Sequence, residues 1–465
     1  MIQTDTIIAL ATPSGSGAIA IIRLSGPNAI SIASNHFESI SGKVLGKQKS
    51  HTIHLGYIKD GENVLDQVLV SIFKNPNSYT GENIIEISCH GSPYIQQQII
   101  QLFLRNGCRT ADAGEFTLRA FLNGKMDLSQ AEAVADLISS DNAASHQIAV
   151  QQMRGGFSNE IKNLRAELLN FASLIELELD FSEEDVEFAD RTQFKELLTR
   201  IQKVLKSLID SFAVGNVIKN GIPVAIVGEP NVGKSTLLNA FLNEERALVS
   251  DIAGTTRDTI EDEIAIGGIG FRFIDTAGIR ETEDVIEGMG IKRTFEKIEQ
   301  AQVILLLVDG SKLLADDQKL KNIVLEYEKI KNQNPQKPLV LLINKADTLS
   351  ESDKEIIGEY LNNINYLSAK TGEGVEELKN SLLRFVNTGA LRNNETIVTN
   401  TRHYNSLLKA LEEIEKVQIG MKEDLSSDLM AIDVREALYH LGEITGQVTN
   451  DELLGNIFAN FCIGK

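Results

Sequence analysis

The apolar residues of this chain change their spacing several times, and each change marks a different kind of element. Over residues 1–125 short apolar runs alternate with turn residues. TIIALATP, AIAIIRLSG, HTIHLGYI, VLDQVLVSIF and NIIEISCHG read as strands, with YIQQQIIQLFLRNG as a helix among them. From about Leu128 the apolar positions recur three and four residues apart, through AEAVADLISSDNAASHQIAVQQM, NEIKNLRAELLNFASLIELEL and RTQFKELLTRIQKVLKSLIDSFA. This last stretch ends near Val214. At Gly221 the texture changes again: IPVAIVG, GFRFIDT, VILLLVDG, PLVLLINKAD and INYLSA are continuous apolar runs separated by helical patterns, which predicts a parallel α/β sheet. Beyond about Asn387 helices return as TRHYNSLLKALEEIEKVQIG, LMAIDVREALYHLGEITG and DELLGNIFANF, the last opening on a Thr449–Glu452 capping-box pattern.

The pattern therefore predicts a multidomain α/β plus α chain. An α+β domain spans 1–125, and a helical domain comes in two parts, 126–216 and 387–465. An α/β domain at 217–386 is inserted between those parts.

Composition sharpens this only a little. The 465 residues hold 42% hydrophobic and 24% charged side chains, an ordinary globular balance. The longest apolar runs, such as Val303 to Val308, fall far short of the ~20 residues a membrane helix needs. The opening MIQTDTIIALATPSGSG lacks the basic and apolar regions of a signal peptide. Cys89, Cys108 and Cys462 lie far apart without metal-ligand spacing, which suits a reducing cytoplasmic setting. The net charge of −20 argues against a DNA partner or non-specific coating of nucleic acid. Residues 1–125 are nevertheless nearly balanced, and ELELDFSEEDVEFAD, Glu176 to Asp190, concentrates eight acids. Local contact with RNA stays open.

The chemistry lies in five short blocks. GEPNVGKST, Gly228 to Thr236, stands between an apolar strand and a helical run and reads as a phosphate-binding loop. Its binding residues are Asn231, Val232, Gly233, Lys234, Ser235 and Thr236. Lys234 is placed to reach the β- and γ-phosphates, and the Ser235 hydroxyl to bind Mg²⁺. NKAD supplies Asn344, Lys345 and Asp347. The Asp347 carboxylate can accept from both guanine N1–H and the 2-amino group, and against adenine it is left unpaired. Ser368, Ala369 and Lys370 follow downstream. DTAG supplies Asp275, Thr276, Ala277 and Gly278 as nucleotide-binding residues, with Asp275 expected to hold the Mg²⁺ shell and the Gly278 N–H to sense the γ-phosphate. Between these blocks DIAGTTRD sits where a switch loop belongs, with Ser250, Asp251, Ile252, Ala253, Gly254, Thr255 and Thr256, the last as second Mg²⁺ ligand. The order makes the inserted domain a P-loop GTPase.

Ile279 stands where Ras-type GTPases carry a water-orienting glutamine, and an isoleucine cannot polarise water. Glu281, Glu283, Asp284 and Glu287 are nearby candidates for that role, and a cation must neutralise charge at the β–γ bridge. In the N-terminal part, Arg23 within an apolar strand requires an anionic partner, be it a ligand or a local carboxylate, or a route to water. Cys462 reads equally as a candidate nucleophile or a buried small hydrophobe. Cys89 and His90 read as structural.

From its opening TIIALATPSGSGAIAIIRLSG through YTGENIIEISCHG, AGEFTLRAFLNGKMDLSQAEAVADLI, LDFSEEDV and the nucleotide blocks to the final FCIGK, the chain resembles the tRNA-modification GTPase MnmE (TrmE) family end to end. The resemblance implies a GTP hydrolase that helps add a carboxymethylaminomethyl-type group to carbon 5 of the wobble uridine of certain tRNAs. It implies an FAD- and NADH-using partner of the MnmG type, joined as a heterotetramer, and a homodimer formed by a folate-binding N-terminal domain. It also implies potassium-assisted hydrolysis. Asn231 and the backbone carbonyls of Ser250, Ile252 and Thr255 match the family's K⁺ ligands, and Glu287 its catalytic, water-orienting glutamate. Arg23, Glu82, Lys125 and Lys465 match the residues for 5-formyl-tetrahydrofolate or a related folate. On that reading the C-terminal helices return toward the N-terminal domain. A GTP-switched ribosome assembly factor, which shares the central blocks but not the two ends, is the alternative.

Overall fold

The computed structural model describes residues 5–180, 191–246, 262–274, 298–313, 317–361, 364–385, 396–423, 425–459 and 461–464. They fall into two compact units. One comprises 1–139, 149–205 and 405–465, and the other 140–148 and 206–404.

The first unit opens with a seven-stranded sheet in the order β3-β4-β5-β6-β2-β1-β7. Its strands are β1 (Thr6–Leu10), β2 (Ile19–Ser25), β3 (Phe37–Ser39), β4 (Thr52–Asp60), β5 (Asn63–Phe73), β6 (Ile84–His90) and β7 (Cys108–Thr110). All neighbours are antiparallel except β1 and β7, which run parallel. The period-two alternation in β5 buries Val68, Val70 and Ile72 on one face, as a half-covered antiparallel sheet requires. Over that face lie α1 (Ala29–His36) and α2 (Pro93–Arg105); in α2 Ile99, Leu102 and Phe103 share one helical stripe and are fully buried. Pro93 sits in the first turn, where its missing N–H costs nothing.

The expected strands and the α2 helix are present, whereas α1, β3, β7 and α3 (Glu115–Leu122) carry too little periodicity to be read beforehand. The helical block of the unit contains α4 (Leu128–Ile138), α5 (Ala143–Met153), α6 (Gly156–Asp180), α7 (Arg191–Asn220), α12 (Thr401–Lys422), α13 (Ser427–Thr445) and α14 (Asp451–Phe458), with α5, α7 and α12 extending past its borders. The helical AEAVADLISSDNAASHQIAVQQM stretch forms two helices, α4 and α5, because the polar Ser139–Asn142 segment interrupts the apolar stripe. One expectation needs correction. The Thr449–Glu452 pattern is not the cap of α14: Asn450 caps it, accepting from Leu453 N–H at 2.8 Å. The amide oxygen one residue later meets the same free donors, and Asn is the stronger cap.

The second unit is built on a six-stranded sheet in the order β13-β12-β11-β8-β10-β9. These strands are β8 (Ile222–Val227), β9 (Asp262–Ile266), β10 (Ile269–Phe273), β11 (Val303–Asp309), β12 (Leu339–Asn344) and β13 (Ile364–Tyr366). Every residue of β11 is buried, the mark of a strand covered on both faces. Around it lie α8 (Lys234–Arg246), α9 (Asp317–Gln333), α10 (Glu351–Tyr360) and α11 (Val375–Arg384). The sheet is not wholly parallel as expected: β9 joins the edge antiparallel to β10, through a Gly267-Gly268 turn with both residues at positive φ. Strand β8 lies between β11 and β10, so the chain leaves it on opposite sides in succession. That is the switch point where ligands bind in doubly wound folds. Among the described residues no helix is long and apolar enough to cross a membrane.

Candidate functional site

The phosphate-binding loop leaves the end of β8, and its shape is set by backbone. Gly228 and Gly233 have φ of 153° and 100°. A Cβ on Gly228 would collide with the Leu307 carbonyl, and one on Gly233 with the Asn344 amide. Both positions therefore demand glycine. Asn231, exposed, adopts φ 63°, a left-handed conformation that asparagine tolerates better than most residues. Lys234 Nζ donates to Gly228 O at 2.7 Å and closes the loop on itself. Helix α8 starts at Lys234 with Ser235 and Thr236 exposed, and a helix N-terminus after a glycine loop suits a phosphate, with the Ser235 hydroxyl accessible to Mg²⁺. A glycine cradle, a lysine and an exposed hydroxyl fit both groups.

Three of the blocks meet at one side chain. Asn344, 2% exposed, donates from Nδ2 to Val232 O at 2.7 Å and accepts at Oδ1 from Ala369 N–H at 2.9 Å. The phosphate loop, the NKAD turn and the Ser368–Lys370 turn are thus pinned together. Lys345 is held at φ 63°, which costs a non-glycine residue about 1–3 kcal/mol. Its Nζ is paired at 2.7 Å with Asp309 Oδ2 from the end of β11. Asp309, 3% exposed, accepts at Oδ1 from the Ser311 N–H and hydroxyl at 3.1 and 2.6 Å. Burial pushes its carboxyl up, but the Lys345 and Ser311 contacts outweigh burial and hold it below the usual range. Asp347 and Lys370 are exposed beside this core, and Ser368 and Ala369 are buried in it. Sequence reading missed Asp309. Its only signal was one acid ending an all-apolar strand.

Ser250, Asp251, Ile252, Ala253, Gly254, Thr255, Thr256, Asp275, Thr276, Ala277, Gly278 and Glu287 lie outside the described residues, as do Ile279, Glu281, Glu283 and Asp284.

In the other unit, the N-terminal candidates gather near one loop, 78–83. Arg23 pairs with Glu86 across the β2–β6 ladder, at 2.9 Å from Nε and 2.8 Å from Nη2, so the local-carboxylate alternative is realised. Its guanidinium also donates to Gly464 O at 3.2 Å and lies 5.7 and 5.6 Å from the ring centres of Tyr79 and Phe116. The chain's far end is docked here: Ile463 bridges Ala113, and Gly114 N–H donates to Cys462 O at 3.3 Å. Glu82 accepts from Ser25 Oγ at 2.7 Å and from Arg119 Nη1 at 3.2 and 3.3 Å, which leaves acceptor capacity on Oε1. The exposed Lys125 lies against Gly81. An aromatic ring, a carboxylate with a free lone pair and the exposed Lys125 cation fit a folate, with Arg23 alongside but already paired with Glu86. Lys465 is outside the described residues.

Beneath Glu82 lies a network that the sequence did not announce. Arg119 donates from Nη2 to Asp5 Oδ1 at 2.6 Å and to Glu115 Oε1 at 2.9 Å, and Glu115 also holds Arg109 at 2.6 Å. Burial raises the carboxyls of Asp5 and Glu115, but the guanidinium contacts win and hold both below the usual carboxylate range. Only the ADAGEFTLRAF segment, with charges at helical spacing, hinted at it. Cys462 is exposed, so the buried-hydrophobe alternative does not describe it. Cys89 and Cys108 are buried, which pushes both thiols up to about 11, and His90 pairs through Nδ1 with Asp66 at 2.7 Å. No cluster of metal-binding side chains exists among the described residues.

A glycine-cradled loop at a switch point, tied through Asn344 to NKAD and Ser-Ala-Lys turns, defines a P-loop protein of the guanine-nucleotide-binding class. Residues 6–125 match the GTP-binding protein TrmE N-terminus, and residues 128–462 match the MnmE helical domain. Curated relatives extend this over the full length. The chain is 75% identical to the tRNA modification GTPase MnmE of Flavobacterium psychrophilum, covering 100% of each. It is 68% identical to that of Christiangramia forsetii and 54% identical to that of Bacteroides thetaiotaomicron, in each case over 99% of both chains. The chain belongs to the MnmE family of tRNA modification GTPases.

Proposed function

We propose that this chain hydrolyses GTP in tRNA modification, serving the addition of a carboxymethylaminomethyl-type group at carbon 5 of the wobble uridine. The observation that carries this is Asn344, which holds the phosphate loop and the base-recognition turns together in a chain that the family's models match over 6–125 and 128–462. Lys234 binds the β- and γ-phosphates, and Ser235 with Thr256 holds Mg²⁺. Asn231 with the carbonyls of Ser250, Ile252 and Thr255 holds K⁺. The K⁺ held there would supply positive charge beside the β–γ bridge, the task an arginine finger otherwise performs. Glu287 orients the attacking water. Ile279 supports this assignment, because it cannot do the work of a glutamine.

Arg23, Glu82, Lys125 and Lys465 bind the folate that supplies the one-carbon unit, and the docking of 461–464 beside Arg23 supports that reading. The chain acts as a homodimer with an MnmG-type FAD protein, in the cytoplasm, and divides into domains 1–125, 126–216 with 387–465, and 217–386. Nothing observed favours a ribosome assembly role. Turnover measured in potassium and in sodium tests the cation assignment, and equal rates refute it. Mass spectrometry of tRNA nucleosides from cells carrying Glu287→Ala tests the coupling. Loss of the wobble modification is expected, and normal modification defeats the view that hydrolysis drives the reaction.

A further inference from the structure

We propose that Asp309 is a positioning residue for guanine recognition, acting through Lys345 to aim the turn that carries Asp347. The inference rests on the guanine-nucleotide reading of the NKAD block.

Strand β11 is VILLLVD, six apolar residues and then an acid that is 3% exposed. A carboxylate at the covered end of a central strand requires compensation. It is directed at the recognition turn: Asp309 stands opposite Asn344 in the β11–β12 register, and its Oδ2 meets Lys345 Nζ at 2.7 Å. Among the described residues, the exposed Lys312 is the second cation near it, 3.9 Å away. Ser311 fixes the second oxygen through its N–H and hydroxyl. The carboxylate therefore has a single orientation, and it offers Lys345 a single place.

That place matters because Lys345 is in the left-handed conformation, from which the short turn Ala346–Thr348 starts. Asp347 is the middle residue of that turn. Two main-chain bonds, Ala346 N–H to Leu367 O at 3.0 Å and Thr348 N–H to Lys345 O at 2.9 Å, brace the turn from its other sides. Two side chains brace the strained residue itself: Thr348, whose hydroxyl donates to Lys345 O at 2.7 Å, and Asp309, which alone holds the ammonium end at hydrogen-bond distance among the described residues. Asp347 recognises guanine through two adjacent donors, N1–H and the 2-amino group, and a carboxylate meets both only at one angle. A turn that relaxes out of the left-handed conformation weakens the two-pronged contact before it abolishes binding. The residue is thus expected to set the preference for a base with the 2-amino group over one without it.

The test uses the purified full-length chain and compares GDP with inosine diphosphate, which lacks the 2-amino group. The wild type is expected to prefer GDP. Asp309→Asn, nearly the same in shape, is expected to shrink that preference at least about fivefold, as is Lys345→Met, with the double variant no worse than the poorer single. A preference unchanged in Asp309→Asn, whatever happens to the melting temperature, overturns the proposal and marks Asp309 as a stabilising residue only. Losses that simply add in the double variant overturn it too. If the wild type fails to bind GDP at all, the guanine reading falls, and this role with it.

Discussion

The nucleotide site and the N-terminal site are built in opposite ways. The phosphate loop is shaped by main chain: two glycines with positive φ, one asparagine in the left-handed region, and a helix start. Among the described residues, the buried polar side chain that fastens it is Asn344. The N-terminal site is shaped by side chains from distant parts of the chain, with Asp5, Glu82, Arg109, Glu115 and Arg119 in one ion network and Arg23 paired beside it. Backbone sites depend on what a residue lacks. Ion networks depend on every partner being present, since a buried charge left alone is expensive.

The sharpest way to break this contrast is Arg119→Met. It strips a shared partner from Asp5, Glu82 and Glu115, and should destabilise the first unit by about 3–5 kcal/mol. Urea unfolding read by a probe in residues 1–125 measures it, and a loss below 1 kcal/mol means that the network behaves as a solvated surface cluster. Its counterpart is Lys234→Ala, which should lower GTP turnover by about 100- to 1,000-fold while leaving the melting temperature nearly unchanged. Turnover within a few-fold of wild type contradicts the backbone-plus-lysine account.

A third comparison uses pH. Asp5 and Glu115 are held below their ordinary values of 3.8 and 4.5, so their stabilisation is complete above about pH 4.5 and is lost as pH falls through the lower folded-state values. The first unit should therefore lose stability below pH 4 more steeply in the wild type than in Arg119→Met, as melting curves between pH 3 and 6 will report. Parallel slopes speak against the network as the cause. The smallest effect belongs to Glu86→Gln. Arg23 and Glu86 are each roughly a fifth to a quarter exposed, so the pair should contribute only about 1 kcal/mol. A loss of 3 kcal/mol places the pair with the buried network instead.

The same contrast explains what could be read in the chain. Gly228, Gly233, Lys234 and NKAD were legible because a loop that wraps phosphate needs fixed residue types at fixed spacing, and that spacing is local. Arg119 and Asp309 were illegible because their partners, Asp5 and Lys345, lie 114 and 36 residues away. The strands with strong alternation or long apolar runs were legible too. Short pieces such as β7 were not, since three residues carry no period. The cap of α14 was misplaced by one residue, because neighbouring Thr449 and Asn450 both suit the position and only geometry selects one.

By itself the sequence determined the layout: an α+β start, helices, an inserted nucleotide-binding sheet, and helices again. It also determined the phosphate loop, since its glycines and lysine have few other uses in that setting. Tertiary structure decided which edge β9 joins, which carboxylates share Arg119, and that residues 461–464 dock against Ala113 and Arg23. The reason is range. Propensity and motif spacing act over a few residues, while ion pairs and edge pairing are settled only when the whole chain has closed and each buried charge has found the partner that offsets its lost hydration.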